Sequence, residues 1–124
     1  MEQVLVDSCI FIDIFRGDSL LATKLKNIAV CINPVIYMEL LQGSRSKLEL
    51  EKIDKILSKF ELITFDDNIS QTSIDLIRKY SKSHGLLFPD SMIAATCLEK
   101  DIKVFTRNIK DFIFIDDIEI YKEE

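Results

Sequence analysis

Three acidic residues stand out because hydrophobic residues surround each of them. Asp7 follows the apolar run VLV, Glu39 lies inside NPVIYMELLQG, and Asp90 opens the segment PDSMIAATCLEK. A carboxylate among apolar side chains costs free energy unless a partner compensates its charge. Each acid lies at the rim of a predicted buried element, so we expect the three to converge on one site.

Carboxylates that converge need a positively charged partner. Two of them about 4 Å apart repel by about 4 kcal/mol at an effective dielectric constant near 20, so a cluster of three needs a bound cation or a proton. Oxygen ligands without histidine or thiolate favour Mg²⁺ or Mn²⁺ over Zn²⁺. Such ions bridge carboxylates to phosphate groups and activate water. The expected chemistry is metal-assisted hydrolysis of phosphodiester bonds, with Asp7, Glu39 and Asp90 as metal ligands.

Each acid also has a more ordinary explanation. Asp90 falls in the first turn of a predicted helix, where it would complement the helix dipole by roughly 0.3–1 kcal/mol. Asp7 could be a turn residue or a helix cap. Glu39, among Val, Ile, Tyr, Met and Leu, has no such local task. The three acids taken together therefore favour a shared site.

Short apolar runs alternate with helical segments along the chain. Four runs have the length and pattern of strands: QVLVD, IAVCIN, FELITF and DIKVFTRN. Helices are predicted for NPVIYMELLQ, SKLELEKIDKILSKF, NISQTSIDLIRKYSKSHG and PDSMIAATCLEK. IEIY is a candidate for an extra strand, and the terminal KEE is expected to fray. This alternation predicts an α/β fold, a three-layer α/β/α sandwich with a mainly parallel central sheet.

The predicted elements bring the acids to one edge of that sheet. Ligands of open α/β sheets bind beyond the carboxyl ends of the strands, where Asp7 lies. Glu39 comes four residues after Val35 and three after Ile36, which places it on or beside the buried face of its helix. Asp90 shares a helix face with three core candidates, Ile93, Ala94 and Cys97.

Local helix signals support these boundaries. Asn33 is a suitable N-cap, because Pro34 after it fits the first helical position. Gly43 suits the C-terminal cap of the same helix. Asp66 or Asp67 can cap the following long helix.

Length and composition predict a single domain over residues 1–124. The chain is 48% hydrophobic and 30% charged, which is enough to bury one core. It has no apolar run of membrane-spanning length and no signal-peptide pattern at the N-terminus, so we expect a cytoplasmic protein without a membrane partner. Cys9, Cys31 and Cys97 lack close metal-ligand spacing and are interpreted as small core residues. His84 is interpreted as a residue at a helix C-terminus.

The net charge of −5 argues against a protein that grips nucleic acid by broad phosphate neutralisation. It is compatible with an acidic site that reaches phosphates through bound cations. Contacts with RNA would then be local, and Asp13 is expected to be a solvated acid. The candidate basic residues, each of which taken singly is more simply a solvated charge, are Arg16, Lys24, Lys26, Arg45, Lys47, Arg107 and Lys110.

Three segments carry a family resemblance: VLVDSCIFIDIFRG, PVIYMELLQG and PDSMIAATCLEKDIKVFTRNIKDF. In this order and spacing, they resemble the PIN domain, and in particular the small single-domain ribonuclease toxins of the VapC type. The match runs from Val4 to about Phe112. It implies an α/β/α sandwich, dependence on Mg²⁺ or Mn²⁺, and endoribonuclease activity. The family's first three acids match Asp7, Glu39 and Asp90.

The fourth motif of this chain departs from the pattern of four acids. In the family, a hydroxyl or carboxylate near this motif completes the metal shell, but the position two after Thr106, often Asp, is Asn108. Asn108 can offer a carbonyl oxygen, and Asp111 could reach the site directly or through water. The same two residues could also cap a short helix, with Asn108 as N-cap and Asp111 at the third position. Ser8 could bond a metal-bound water or simply end the strand.

The resemblance also implies partners. A toxin of this type would cut an RNA substrate, bind a cognate antitoxin that covers the active site, and form a homodimer. A catalytically inert PIN-like module for protein contact is the alternative, and Asn108 motivates it. A phosphoryl-accepting receiver domain would need a lysine at the end of a late strand, whereas Lys103 precedes VFT.

Overall fold

The computed structural model describes residues 1–123, and four parallel strands form its sheet. The strand order is β3-β2-β1-β4, and all three neighbouring pairs are parallel. The strands are β1 (Gln3–Val6), β2 (Ala29–Ile32), β3 (Glu61–Leu62) and β4 (Lys103–Phe105). The predicted strands and their parallel arrangement are therefore confirmed.

Helices flank this sheet and connect its strands. They are α1 (Ser8–Phe15), α2 (Ser19–Leu25), α3 (Pro34–Gln42), α4 (Lys47–Leu57), α5 (Asp67–His84) and α6 (Phe88–Lys100), followed by a short 3₁₀ helix (Ile109–Asp111). Helices α3 to α6 confirm the four predicted ones. The fold is the expected α/β/α arrangement.

The central strand β1 is covered on both faces. Val4, Leu5 and Val6 point alternately to opposite sides of the sheet, yet all three are fully buried. Helices must therefore cover both faces, as in other parallel sheets. The two interior strands of the sheet, β1 and β2, end next to each other, and their carboxyl ends define the edge where the acids were expected.

Helices α1 and α2 were not predicted. The α1 sequence SCIFIDIF is rich in Ile and Phe, which favour strands in many contexts. Capping overrides that preference, because the Asp7 carboxylate accepts a hydrogen bond of 2.8 Å from the Ser8 N–H at the start of α1. At the start of α2, Asp18 Oδ1 accepts one of 3.0 Å from the Leu21 N–H. The connection from β1 to β2 is therefore helical.

The predicted helix caps are present. Asn33 Oδ1 accepts a hydrogen bond of 3.0 Å from the Ile36 N–H, and Gly43 follows the last residue of α3. Of the two acids proposed to cap α5, Asp66 is the N-cap, since its Oδ1 accepts from the Ile69 N–H at 2.8 Å. His84 ends α5 as expected.

The C-terminal segment differs from expectation. IEIY forms no regular strand, and Ile120 makes only an isolated parallel bridge with Val104. Within the terminal KEE, which was expected to fray, the Glu123 carboxylate pairs with Lys24 and Arg107. Glu124 lies outside the described residues. Lys103 begins β4, at the end of the strand away from Asp7, which excludes the receiver-domain arrangement.

No helix within residues 1–123 is both long enough and apolar enough to cross a membrane.

Candidate active site

Asp7 occupies the centre of the site. It follows the last residue of β1, and its backbone N–H donates a hydrogen bond of 2.9 Å to the Phe105 carbonyl of β4. Only 5% of the residue is exposed. Its Oδ1 accepts from the Ser8 N–H at 2.8 Å, and its Oδ2 accepts from the Thr106 hydroxyl at 2.9 Å. The Asp7 carboxylate is therefore held in one orientation at the carboxyl edge of the sheet.

Burial dominates the electrostatics of Asp7. Loss of solvent around the carboxyl raises its pKa above the ordinary value of 3.8. Hydrogen bonds from Thr106, Ser8 and Cys9 offset part of this rise, and the charge of Asp111 adds to it. The net pKa is raised, so the ionised form of Asp7 would gain from a nearby positive charge.

Glu39 approaches Asp7 from α3. The Ser8 hydroxyl donates to Glu39 Oε1 at 3.4 Å, which links this carboxylate to the start of α1. Partial burial of the carboxyl and the charge of Asp7 raise the pKa of Glu39. Taken as a whole the residue is exposed, so it lies further toward solvent than the edge of the core predicted for it.

Asp90 contributes the third carboxylate from the first turn of α6. It is half-buried, and its pKa is raised to about 6, first by burial and then by the charges of Asp7, Asp111 and Glu39. The N-cap of α6 is Leu87, which makes no side-chain capping bond. The three predicted acids, together with Asp111, therefore share one electrostatic environment.

The two candidates of the fourth motif differ in position. Asp111 ends the 3₁₀ helix, is half-buried, and raises the pKa of both Asp7 and Asp90 by its charge. Asn108 is exposed, and its side chain forms no hydrogen bond with another described residue. The predicted capping pair is correct in position, because Asn108 precedes the 3₁₀ helix and Asp111 is its third residue. The side-chain cap predicted for Asn108 is absent.

Thr106 and Cys9 also belong to the site, although sequence reasoning did not assign them to it. Thr106 is 3% exposed, and its hydroxyl bonds to Asp7 while accepting from the Asn108 N–H at 3.0 Å. Cys9 Sγ lies 3.6 Å from Asp7 Oδ2 and 3.5 Å from the Thr106 hydroxyl. The signal for Thr106 was available, since it is a polar residue directly after a predicted strand.

Cys9 is a correction to the interpretation of the cysteines. Cys31 and Cys97 are buried free thiols, as expected, whereas Cys9 is only partly buried beside the acids. Burial and the charge of Asp7 raise the pKa of the Cys9 thiol. It therefore remains a neutral thiol next to the carboxylates.

The ligand types suit a hard divalent cation. Asp7, Glu39, Asp90 and Asp111 offer only carboxylate oxygens. The pKa of Asp90 is raised first by burial and then by the charges of the other acids, and a cation would relieve that repulsion. Across residues 1–123, no three Asp, Glu, His or Cys side chains lie close enough to form a ready-made metal cage. Mg²⁺ commonly uses one or two carboxylates and keeps several waters. The residues therefore fit such an ion without a closed cage.

A groove of about 740 Å³ opens beside Glu39, between α1, α3 and α4. Its apolar lining consists of Ile12, Phe15, Leu40, Ile53 and Ile56. Arg16, Arg45 and Lys52 also line it, and none of them forms a salt bridge with a residue in 1–123. Glu39 and Glu49 line it as well, so three cations stand against two acids, and we call this surface the basic groove.

Two of the basic residues proposed for RNA contact are engaged elsewhere. Lys24 pairs with Glu123 at 3.1 Å. Arg107 pairs with Asp13, Asp18 and Glu123, so Asp13 is not the solvated acid that was expected. Of the seven candidates, Arg16 and Arg45 are the ones that line the basic groove.

Known proteins resemble this chain over nearly its whole length. Ribonuclease VapC6 of Methanocaldococcus jannaschii is 29% identical to it across 98% of either sequence. Ribonuclease VapC19 of Mycobacterium tuberculosis is 27% identical, across 93% of this chain and 96% of its own. Among solved structures, a chain of a toxin-antitoxin complex from Klebsiella pneumoniae is 27% identical, with a TM-score of 0.78 over 93% of this chain and 94% of that one.

The model of the PIN domain family matches residues 4–116. This range runs from β1 to beyond the 3₁₀ helix and contains all four acids of the site. Ribonucleases of this family depend on a bound metal ion as a group. The resemblance that the motifs indicated is confirmed, and the chain belongs to the PIN domain family.

Proposed function

We propose that this PIN-domain protein is a metal-dependent endoribonuclease that serves as the toxin of a type II toxin-antitoxin pair. The observation that carries the proposal is the set of acids at the carboxyl edge of the sheet. Burial, and after it the charges of Asp7, Asp111 and Glu39, raise the pKa of Asp90 to about 6. The names of the two curated relatives support RNA as the substrate, and the Klebsiella complex supports the toxin role.

Asp7, Glu39 and Asp90 are the residues proposed to hold the ion, which would be Mg²⁺ or, alternatively, Mn²⁺. When bound, the ion would stabilise negative charge on the phosphodiester and lower the pKa of water. Thr106 and Ser8 hold the Asp7 carboxylate, so its orientation is set before substrate arrives. This preorganisation reduces the rearrangement that the reaction requires.

Asp111 and Asn108 are proposed to complete the catalytic set. Asp111 already acts on Asp7 and Asp90 through its charge, so it can supply a fourth carboxylate to the site. Asn108 lies at the exposed rim with a free side-chain amide among the described residues. Its carbonyl oxygen could orient a water or a substrate group there.

The basic groove is proposed to receive the RNA strand next to the scissile phosphate. Arg16, Arg45 and Lys52 can neutralise a few phosphates locally, which is compatible with the net charge of −5. Phe15, 40% exposed in the groove, offers an aromatic surface for an unstacked base. These contacts would hold a single-stranded segment beside Glu39. We propose the cytoplasm as the site of this activity.

A cognate antitoxin and a second copy of the chain are the proposed protein partners. An antitoxin that covers the acids and the adjoining groove would exclude RNA. We propose a homodimer as the active form, which sedimentation or light scattering of the purified chain would establish.

The direct test is cleavage of a structured RNA by purified protein. Cleavage should require Mg²⁺ or Mn²⁺, stop on addition of EDTA, and be lost in Asp7→Asn, with the fold of that variant checked by circular dichroism. Cleavage that continues in EDTA would reject the metal mechanism. A natively folded wild type that never cleaves RNA with either ion would favour the inert module, which Asn108 in place of the family's usual acid motivates.

A further inference from the structure

The side chain of Arg107 connects three distant parts of the chain. Its Nη1 lies 2.9 Å from Asp13 Oδ2 and 3.5 Å from Asp18 Oδ2, and its Nη2 lies 2.9 Å from Glu123 Oε1. Asp13 belongs to α1, Asp18 caps α2, and Glu123 lies near the C-terminus. We call Arg107 and these three acids the Arg107 clamp.

The Arg107 clamp differs from an isolated surface ion pair. A single exposed pair contributes little to stability, but here one guanidinium engages three carboxylates through two nitrogens, a geometry that the planar fork of arginine allows. The four side chains are only 30–38% exposed. Arg107 and, to a smaller extent, Lys24 lower the pKa of Glu123, so this carboxylate carries its charge at neutral pH.

The Arg107 clamp is next to the acidic site. Arg107 follows Thr106, whose hydroxyl bonds to Asp7 and accepts from the Asn108 N–H. The backbone N–H of Arg107 donates to Cys9 Sγ at 3.5 Å. The segment 106–108 is thus attached to Asp7 on its inner side through Thr106 and to three acids on its outer side through Arg107.

Through Asp13, the Arg107 clamp can influence the position of Asp7 in the acidic site. Asp13 belongs to α1, the helix whose N-terminus Asp7 caps. A guanidinium bound to Asp13, near the C-terminal end of α1, therefore ties this helix to the segment after β4, and these two elements also meet at Asp7. If this link opens, the Thr106 hydroxyl loses a restraint on its distance from Asp7.

We infer that Arg107 is a positioning residue for the acidic site, and that Asp13, Asp18 and Glu123 act on the site through it. For its effect on the metal and on RNA, this inference rests on the proposed function. Its structural part does not, because it concerns the order of segment 106–108 in the free protein. The C-terminal Glu123 thereby takes part in organising a site that lies at the opposite end of the sequence from Asp7.

The test compares amide hydrogen exchange in metal-free protein. In Glu123→Gln, exchange of the Asn108 amide, which bonds to the Thr106 hydroxyl, should accelerate about two- to fivefold, the effect of an exposed ion pair. Arg107→Ala should accelerate it further, to about tenfold, because all three pairs are lost. Arg107→Lys keeps the positive charge but not the planar fork of arginine. Its exchange rate at the Asn108 amide should lie between those of Glu123→Gln and Arg107→Ala. Glu119→Gln is the matched control, since Glu119 is an exposed acid of the same segment without a salt bridge to residues 1–123.

A double-variant cycle tests whether Glu123 acts through Arg107. In the Arg107→Ala background, Glu123→Gln should cause no further acceleration. Titration of free Mn²⁺ by electron paramagnetic resonance should give the same order of variants, with the dissociation constant raised about twofold or more in Glu123→Gln and unchanged in Glu119→Gln. If Arg107→Ala does not fold, the amide exchange of Arg107→Lys and Glu123→Gln is compared with that of wild type instead.

Equal exchange of the Asn108 amide in wild type, Glu123→Gln and Arg107→Lys would overturn the inference. Additive effects of Glu123→Gln and Arg107→Ala would overturn the role of Arg107 as the intermediary. Failure of the wild type to cleave RNA would reject the proposed function, while the exchange comparison would still decide the role of the clamp.

Discussion

The Thr106 hydroxyl donates a hydrogen bond of 2.9 Å to Asp7 Oδ2 across 99 positions of sequence. Both residues are almost fully buried, and each follows the last residue of its strand. The pairing of β1 with β4 places Val6 opposite Phe105, so the next residues of the two strands meet. A hydroxyl and a carboxylate that sequence reasoning treated separately therefore form one unit.

Thr106→Val should weaken this unit without changing the shape of the side chain. Asp7 loses a buried donor, which costs about 1–3 kcal/mol, and the pKa of Asp7 should rise further because the Thr106 bond lowers it. We expect a lower thermal midpoint and weaker Mn²⁺ binding. Thr106→Ser, which keeps the hydroxyl, should stay close to wild type. A Thr106→Val variant that matches wild type, or a larger loss in Thr106→Ser than in Thr106→Val, would show that the methyl group matters and the hydrogen bond does not.

The pKa of Asp90 predicts a pH dependence of stability in metal-free protein. Its pKa is raised from 3.8 to about 6, so the folded state holds the proton more tightly than the unfolded chain. The resulting stability is present below about pH 4 and is lost as pH rises through about 6. Asp90→Asn should therefore gain stability relative to wild type between pH 4 and pH 7. Thermal melts in EDTA would measure this gain as a rise in the thermal midpoint, by about 4 °C for each 1 kcal/mol of stability.

Asp67→Asn is the control for Asp90→Asn, because Asp67 is also a first-turn acid, on α5. It accounts for the lost interaction with the helix dipole. Mg²⁺ should then stabilise wild type by about 2.7 kcal/mol at a hundredfold excess over the dissociation constant, and Asp90→Asn much less. The same Mg²⁺ response in both proteins would place the ion away from Asp90.

The fourth motif can be tested by the metal concentration that cleavage requires. Asp111→Ala should raise this concentration, because it removes a carboxylate that acts on Asp7 and Asp90. Asn108→Asp should lower it, since a charged oxygen donor replaces an amide. Unchanged metal titrations in both variants would restrict the two residues to a structural role around the 3₁₀ helix.

The basic groove predicts a local and salt-dependent contribution to RNA affinity. Arg45→Gln and Lys52→Gln should each weaken RNA binding and reduce the salt slope by about 0.7 per lost phosphate contact, while Mn²⁺ affinity stays constant. Lys55→Gln is the control, as Lys55 lies on α4 like Lys52 but is exposed outside the groove. Fluorescence anisotropy at several salt concentrations would measure the slopes. Identical slopes for wild type and both groove variants would exclude the groove as the RNA path.

Local chemistry in the sequence was sufficient for the strands, for four helices and for the convergence of three acids on the candidate site. Alternating apolar runs determine strands through side-chain burial, and Asn33 and Asp66 cap helices by bonds to residues three positions away. Asp7, Glu39 and Asp90 could be recognised because an acid at the end of an apolar element is costly without a partner. These signals act within a few residues, so they are visible in the sequence.

Tertiary structure alone decided which distant groups meet at these acids. The register of β1 and β4 brings Thr106 to Asp7, and the fold brings Cys9 beside the Thr106 hydroxyl. Arg107 became part of an ion cluster rather than a free cation, because α1 and the C-terminus both return to it. Such contacts join residues that are far apart in sequence, and no local pattern records them. Their formation depends on strand register and helix packing, which only the folded chain determines.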